Sequence, residues 1–217
     1  MTAVAVKREY GPTLAGLLAP RWRAASPRAR IAARLTAAAL LAVAVALTLT
    51  LLNARFAHAG RVPFSFQYRS LYRVAAEPGG YVRVERHDAE GALEYSFAVN
   101  PLRLPPYTGE QTGEIPVYAA RFIATLARRY RDFTLRGEGR TKLNNALTGY
   151  QILYTAQLEG REMYAREVLL LPEGKGVRDG VDIVMLTASG ASTQVRGPRE
   201  VATTGVLQRP LKSFSFG

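Results

Sequence analysis

The chain has 217 residues, 48% hydrophobic and 21% charged, which suffices for one domain with a buried core plus extra segments and excludes a wholly disordered chain. It has no cysteine, which excludes disulfides, a thiol nucleophile, Cys-ligated zinc and lipid attachment through a lipobox cysteine. Half of the +12 net charge sits in residues 1–34, ahead of the folded part, which argues against a nucleic-acid partner, since that would need a basic face on the domain itself.

In that leader, Lys7, Arg8, Arg21, Arg23, Arg28, Arg30 and Arg34 face Glu9 alone, whereas residues 60–217 hold 21 basic and 16 acidic side chains. Gly11-Pro12, Pro20 and Pro27 argue against a long helix through the leader. Leu14, Leu17 and Leu18 could touch a bilayer surface, but a tail that sets topology is the simpler expectation. The preponderance of Arg over Lys is in keeping with a GC-rich bacterial genome.

Leu35 to Ala54 is free of charge and bracketed by Arg34 and Arg55. Twenty residues at about 1.5 Å each span roughly 30 Å, the thickness of a hydrocarbon core. The basic excess before it predicts a cytoplasmic N-terminus and a domain outside the cytoplasm. Ala57-His58-Ala59 also matches the small-x-small pattern of a signal-peptide cleavage site, but the apolar segment and its leader are both long for a signal peptide. The expected organisation is a basic cytoplasmic tail over 1–34, a transmembrane helix over 35–54, a linker over 55–63 and an extracytoplasmic domain over 64–217.

The domain opens with Phe64-Ser65-Phe66-Gln67-Tyr68, an alternation of aromatic and polar residues that predicts a half-buried strand extending to Val74. A turn at Glu77-Pro78-Gly79-Gly80 leads to strands over Tyr81–Arg86 and Leu93–Val99. Residues 101–114 read as a Pro- and Gly-rich loop, with Pro116 opening a helix that runs to Tyr130. Ala119, Phe122, Ile123, Leu126 and Tyr130 form its apolar stripe. Strands follow over Phe133–Arg140, Leu147–Leu158, Arg161–Leu171 and Val181–Ala188, with Glu159-Gly160 as a two-residue hairpin turn. Leu207, Leu211 and Phe214 have helical spacing interrupted by Pro210. This order predicts an α+β domain with a mostly antiparallel sheet flanked by helices.

The strand Phe64 to Tyr68, the helix from Pro116 to Tyr130 and Leu147-Thr148-Gly149-Tyr150-Gln151-Ile152 together resemble the PsbP-like fold. So do the hairpin into Tyr164-Ala165-Arg166-Glu167-Val168 and the closing Leu211-Lys212-Ser213-Phe214. The resemblance spans most of residues 62–217 and rests on packing patterns. It implies a binding or assembly module, since the relatives of this fold are mostly not enzymes. A cystatin-like cone is the alternative, but its long helices normally precede most of the sheet.

Chemistry is sparse. His58 and His87 are the two histidines, neither with a second His at ligand spacing, and no Gly-x-Ser-x-Gly elbow occurs. Glu85, Asp88 and Glu90 read as a solvated edge, and Asp179 and Asp182, with Glu173, lack the spacing of a calcium loop. Gly137-Glu138-Gly139 and Gly174-Lys175-Gly176 read as turns. No catalytic residue, metal or cofactor is expected. Tyr150, Tyr154, Tyr164, Arg161 and Arg166 could form a cross-strand face for a glycan, a lipid headgroup or a protein, the simpler alternative being aromatic packing under the helix. The expected function is a non-catalytic envelope binding module; the alternative is a hydrolase or transferase that brings Glu85, Asp88, Asp179 and Asp182 into one pocket.

Overall fold

The computed structural model describes residues 26–76, 78–106, 111–144, 147–174 and 176–217. Most of the basic leader, including Leu14, Leu17 and Leu18, lies outside them, as do Glu77, residues 107–110 of the Pro-rich loop and Lys175. The chain forms two units, one ending at Leu51 and one spanning Leu52–Gly217.

The first unit is helix α1, Pro27–Leu51. Ser26 caps it: its Oγ accepts the Ala29 N–H at 3.3 Å, and Pro27 takes the first helical position, where no N–H is needed. The hydroxyls of Thr36 and Thr48 donate to the carbonyls of Ala32 and Ala44, which satisfies them within the helix. Among the described residues this is the one helix long and apolar enough to cross a membrane. The expected span over 35–54 shifts towards the N-terminus, because Asn53 and Ala54 pair with Arg69 and Tyr68 as the start of a strand.

That strand, β1 (Asn53–His58), corrects the expected linker over 55–63. It forms a three-stranded sheet with β2 (Phe64–Arg69) and β10 (Ser215–Phe216), with β2 in the middle. Only the stretch after His58 is connection. Tyr68 to Val74 is not one extended strand either: β3 (Arg73–Ala75) leaves for the edge of a larger sheet.

The larger sheet has seven strands in the order β3-β4-β5-β9-β8-β7-β6, every ladder antiparallel. These are β4 (Val82–His87), β5 (Leu93–Arg103), β6 (Arg131–Leu143), β7 (Leu147–Leu158), β8 (Arg161–Leu170) and β9 (Asp179–Ala188). Helix α2 (Gln111–Arg129) begins before the expected Pro116, which lies inside it. The β7–β8 turn has Glu159 and Gly160 both at positive φ, 52° and 78°, the signature of a type I′ hairpin. At Gly149 an added Cβ would meet the Leu169 carbonyl oxygen at 2.7 Å, so glycine lets β7 and β8 run close together.

Alternation in the central strands divides the sheet between two cores. Phe97 and Val99 of β5, with Ile183 and Met185 of β9, face the small sheet. The Phe66 ring lies 4.8 Å from Phe97, and Phe64 packs 5.6 Å from Phe214, beyond the short helix α3 (Gln208–Lys212). The opposite face meets α2 through Ala119 and Leu126, which pack with Ile152, Tyr154, Ala165 and Leu169. The architecture is therefore α+β with one helix on one face of the sheet. A small sheet and a short helix cover the other, where helices on both sides were expected.

Phe66 is 1% exposed and also stands 5.5 Å from Phe56 of β1, so it joins both sheets. Phe66→Ala should lower stability by about 3–5 kcal/mol, read by denaturant unfolding of the full chain in detergent. A loss under 1 kcal/mol would contradict the two-sheet core.

Candidate functional site

The face of the large sheet towards α2 carries a row of polar side chains that alternation alone assigns to the core. In β8 the inward positions are Met163, Ala165, Glu167 and Leu169, so Glu167 interrupts an apolar series. In β9, Asp182 takes the same face. Leu169 pairs with Asp182 and Glu167 with Val184, which makes the two acids diagonal neighbours. On either side, Tyr154 of β7 and Asn100 of β5 complete the row, Asn100 standing directly opposite Asp182. The Tyr154 hydroxyl donates to Glu167 Oε2 at 3.1 Å.

Both carboxyls are nearly dry, Glu167 at 2% and Asp182 at 7% exposure. Burial raises Glu167 well above the ordinary carboxyl range, and the neighbouring charge of Asp182 raises it further. Burial also lifts Asp182, to about 6, opposed by hydrogen bonds from Glu167 and Asn100 and by the Arg129 charge. Two like charges in contact under a helix cannot both ionise cheaply, so the pair holds a proton, with Glu167 its donor towards Asp182. Asp182 Oδ1 nonetheless has no hydrogen-bond partner.

Beside this row lies a cleft of about 400 Å³ between the end of α2 and the uncovered part of the sheet, lined by Arg83, Ser96, Asn100, Arg129, Arg131 and Glu159 among others. Asn100 belongs to both the cleft and the buried row. Glu167 and Asp182 do not line the cleft, so a molecule held there would meet Asn100 and the arginines rather than the carboxyls. Glu85 is buried behind the rim, 3.0 Å from Arg83 Nε.

The acids singled out in the sequence do not meet. Asp88 caps its own turn, taking the N–H groups of Ala92 and Glu90 and the Arg161 guanidinium at 2.6 Å. The Ala92 N–H does most to hold its carboxyl below the usual range, with Arg161 contributing. Asp179 pairs with Arg61 at 2.7 Å. His58 stacks on Phe64 and packs tilted against Tyr81, and His87 ends β4 in an exposed position.

The five residues expected to form one face are also divided. The two-residue turn pairs even positions of β7 with odd positions of β8. Tyr150, Tyr154 and Arg161 therefore share the helix face, and Tyr164 and Arg166 point to the opposite one. Tyr154 is fully buried, Tyr164 accepts a hydrogen bond from Ser189 Oγ, and Arg166 reaches the Val201 carbonyl. Glu167 was missed, although an acid at a core position of an alternating strand was a visible signal.

These features define an α+β domain with a proton-holding acid pair behind an arginine-rimmed cleft. No protein-family model matches the chain, and no curated protein matches its sequence. Among solved structures it is similar to LpqN, involved in cell envelope biogenesis of Mycobacterium tuberculosis, with a TM-score of 0.52 and 8% identity over 76% of this chain and 91% of that one. At that identity the likeness shows a common fold. A protein of unknown function from Pseudomonas aeruginosa, PA94, matches at 14% identity over 63% of this chain and 84% of that one. Its TM-score of 0.34 is too low to carry an argument.

The acid pair makes stability pH-dependent. Its carboxyls bind protons more tightly folded than unfolded, so their contribution is full below the unfolded values of 3.8 and 4.5 and is lost as pH rises, for Asp182 through about 6 and for Glu167 through its own strongly raised value. Thermal unfolding of the full chain in detergent should show stability falling between pH 4 and 7 by on the order of 3 kcal/mol. Glu167→Gln should flatten that slope; an unchanged slope would mean that the pair is not its source.

Proposed function

We propose that this chain is a single-pass membrane protein of the bacterial cell envelope, with a cytoplasmic N-terminus and an extracytoplasmic domain that acts as a non-catalytic binding or assembly module. The observation that carries the reading is that α1 runs, through Leu52 alone, into β1, a strand paired along its whole length with β2. A cut after Ala59 would remove β1 and with it Phe56, which packs on Phe64 and Phe66. Retention of the anchor therefore accords with the integrity of the domain. The basic leader supports the orientation, and the fold shared with LpqN, itself involved in envelope biogenesis, supports the setting. The resemblance to the PsbP-like fold belongs to the same reading.

A carboxylate-dependent hydrolase or transferase acting on envelope polymers is the second reading, favoured by the Glu167–Asp182 pair. Its weakness is access: an acid–base group must come within hydrogen-bond reach of its substrate, and these two lie behind the cleft wall. A binding role for the cleft, with arginines at its rim and Asn100 at its floor, needs no such access.

Expressed in a bacterium with a C-terminal tag, the chain should stay full-length in the membrane fraction through carbonate extraction. Protease added to intact spheroplasts should then digest residues 60–217. A shortened soluble product, or a protected domain, would overturn the anchored extracytoplasmic reading. Photocrosslinking from the cleft in membranes should enrich an envelope protein, lipid or glycan, and recovery of the chain alone would count against the binding role.

A further inference from the structure

The chain enters its folded unit at Leu52, and the Leu52 carbonyl accepts the Ser70 N–H at 2.8 Å. The turn between β2 and β3 is thus held at the entry end of the domain. At that turn stands Leu71, 71% exposed, the most exposed large apolar side chain among the described residues, and Val74 follows at 46%. Arg69 and Arg73, both exposed, flank Leu71 in sequence. Arg69 also lines a surface hollow of about 440 Å³ with Arg209 and Lys212 of α3, and no carboxylate lines it. The hollow is ordered, since Arg209 Nη2 donates to Gln67 Oε1 at 3.3 Å and the Gln67 N–H donates to Ser213 Oγ at 2.8 Å.

An apolar tip beside a cluster of cations is costly to leave in water and suits a lipid surface, where the leucine enters the acyl boundary and the cations meet phosphates. Soluble anions would use the cations but leave Leu71 unexplained. We infer that this end of the domain docks on anionic phospholipid headgroups of the bilayer that α1 crosses, Leu71 inserting while Arg69, Arg73, Arg209 and Lys212 bind phosphates. The inference rests on the membrane-anchored reading above and adds to it a second, electrostatic contact that fixes how the domain is presented to partners.

The absence of cysteine allows a single polarity-sensitive label at Leu71→Cys in the full chain, reconstituted in nanodiscs. With phosphatidylglycerol in the disc, the label should move to an apolar environment and be shielded from an aqueous quencher, more so than in phosphatidylcholine alone. A label at Val117→Cys, exposed on α2 across the sheet, should stay aqueous in both. Each of Arg69→Ser, Arg209→Ser and Lys212→Ser should lower the docking equilibrium roughly fivefold at low salt. Arg69→Lys should retain docking, and high salt should abolish the lipid dependence. A label at position 71 equally aqueous in both discs, with the chain still embedded, would overturn docking and leave the anchor standing. A chain that fails to enter the discs would sink the anchored reading and docking together. Inorganic phosphate protecting residues 205–213 from hydrogen exchange, with no such protection in anionic discs, would assign the cations to a soluble anion and overturn docking.

Discussion

The two central strands β5 and β9 are buried on both faces, and the rest of the domain is arranged to meet that requirement. Residues 97 and 99 must find apolar partners on one side of the sheet while 102 finds them on the other. One layer cannot do both. The small sheet, with Phe64 and Phe66, closes the first side, and α2, with Ala119 and Leu126, closes part of the second. Burial of this kind removes large aromatic and aliphatic areas from water at roughly 25 cal/mol per Å². It also explains why β1 and β10, at opposite ends of the domain's sequence, flank the same strand β2.

Coverage of the second side is incomplete, and the chemistry follows from that. Helix α2 lies over β6 and β7, leaving the β4–β5–β9 part of that face as the floor of the cleft. The polar row Tyr154, Glu167, Asp182 and Asn100 runs from under the helix towards this opening. A buried acid pair is costly unless it keeps a proton and its hydrogen bonds. That cost makes the pair a poor choice for stability alone and links the state of the sheet beneath α2 to pH. Arg83, Arg129, Arg131 and Glu159 line the opening, with Arg83 paired to Glu85. The basic cluster at α3 belongs to a different end of the domain, where the chain enters.

Much of the fold was legible where one periodicity governed a segment. The stretch Leu147–Leu158 places Tyr150, Ile152, Tyr154, Ala156 and Leu158 on one face, and its limits coincide with β7. The amphipathic stripe of α2 was equally plain, although helix formation continues N-terminal to Pro116. Phe64 to Tyr68 read correctly as a strand, though not its extension to Val74, and which sheet it joins was not legible, because alternation names a face and not a partner. Arg55 to His58 read as a linker because Ala57, His58 and Ala59 have little strand propensity; pairing with β2 overrode it. The proposed Tyr and Arg face failed for a reason already available, since a two-residue turn fixes which parity of β8 meets which parity of β7.

By itself, the sequence determined a long uncharged helix with a basic leader, an α+β succession of elements and the absence of any thiol chemistry. Each follows from local composition or period, which neighbouring residues carry among themselves. Only the tertiary structure decided that Glu167 and Asp182 are buried side by side, that Tyr164 and Arg166 turn away from Tyr154, and that Leu71 stands exposed where the chain enters the domain. These depend on register between strands far apart in sequence and on which part of a sheet a helix leaves uncovered. The long apolar segment, read from the sequence as a span ending in a linker, is in the folded chain a helix followed after Leu52 by the domain's first strand.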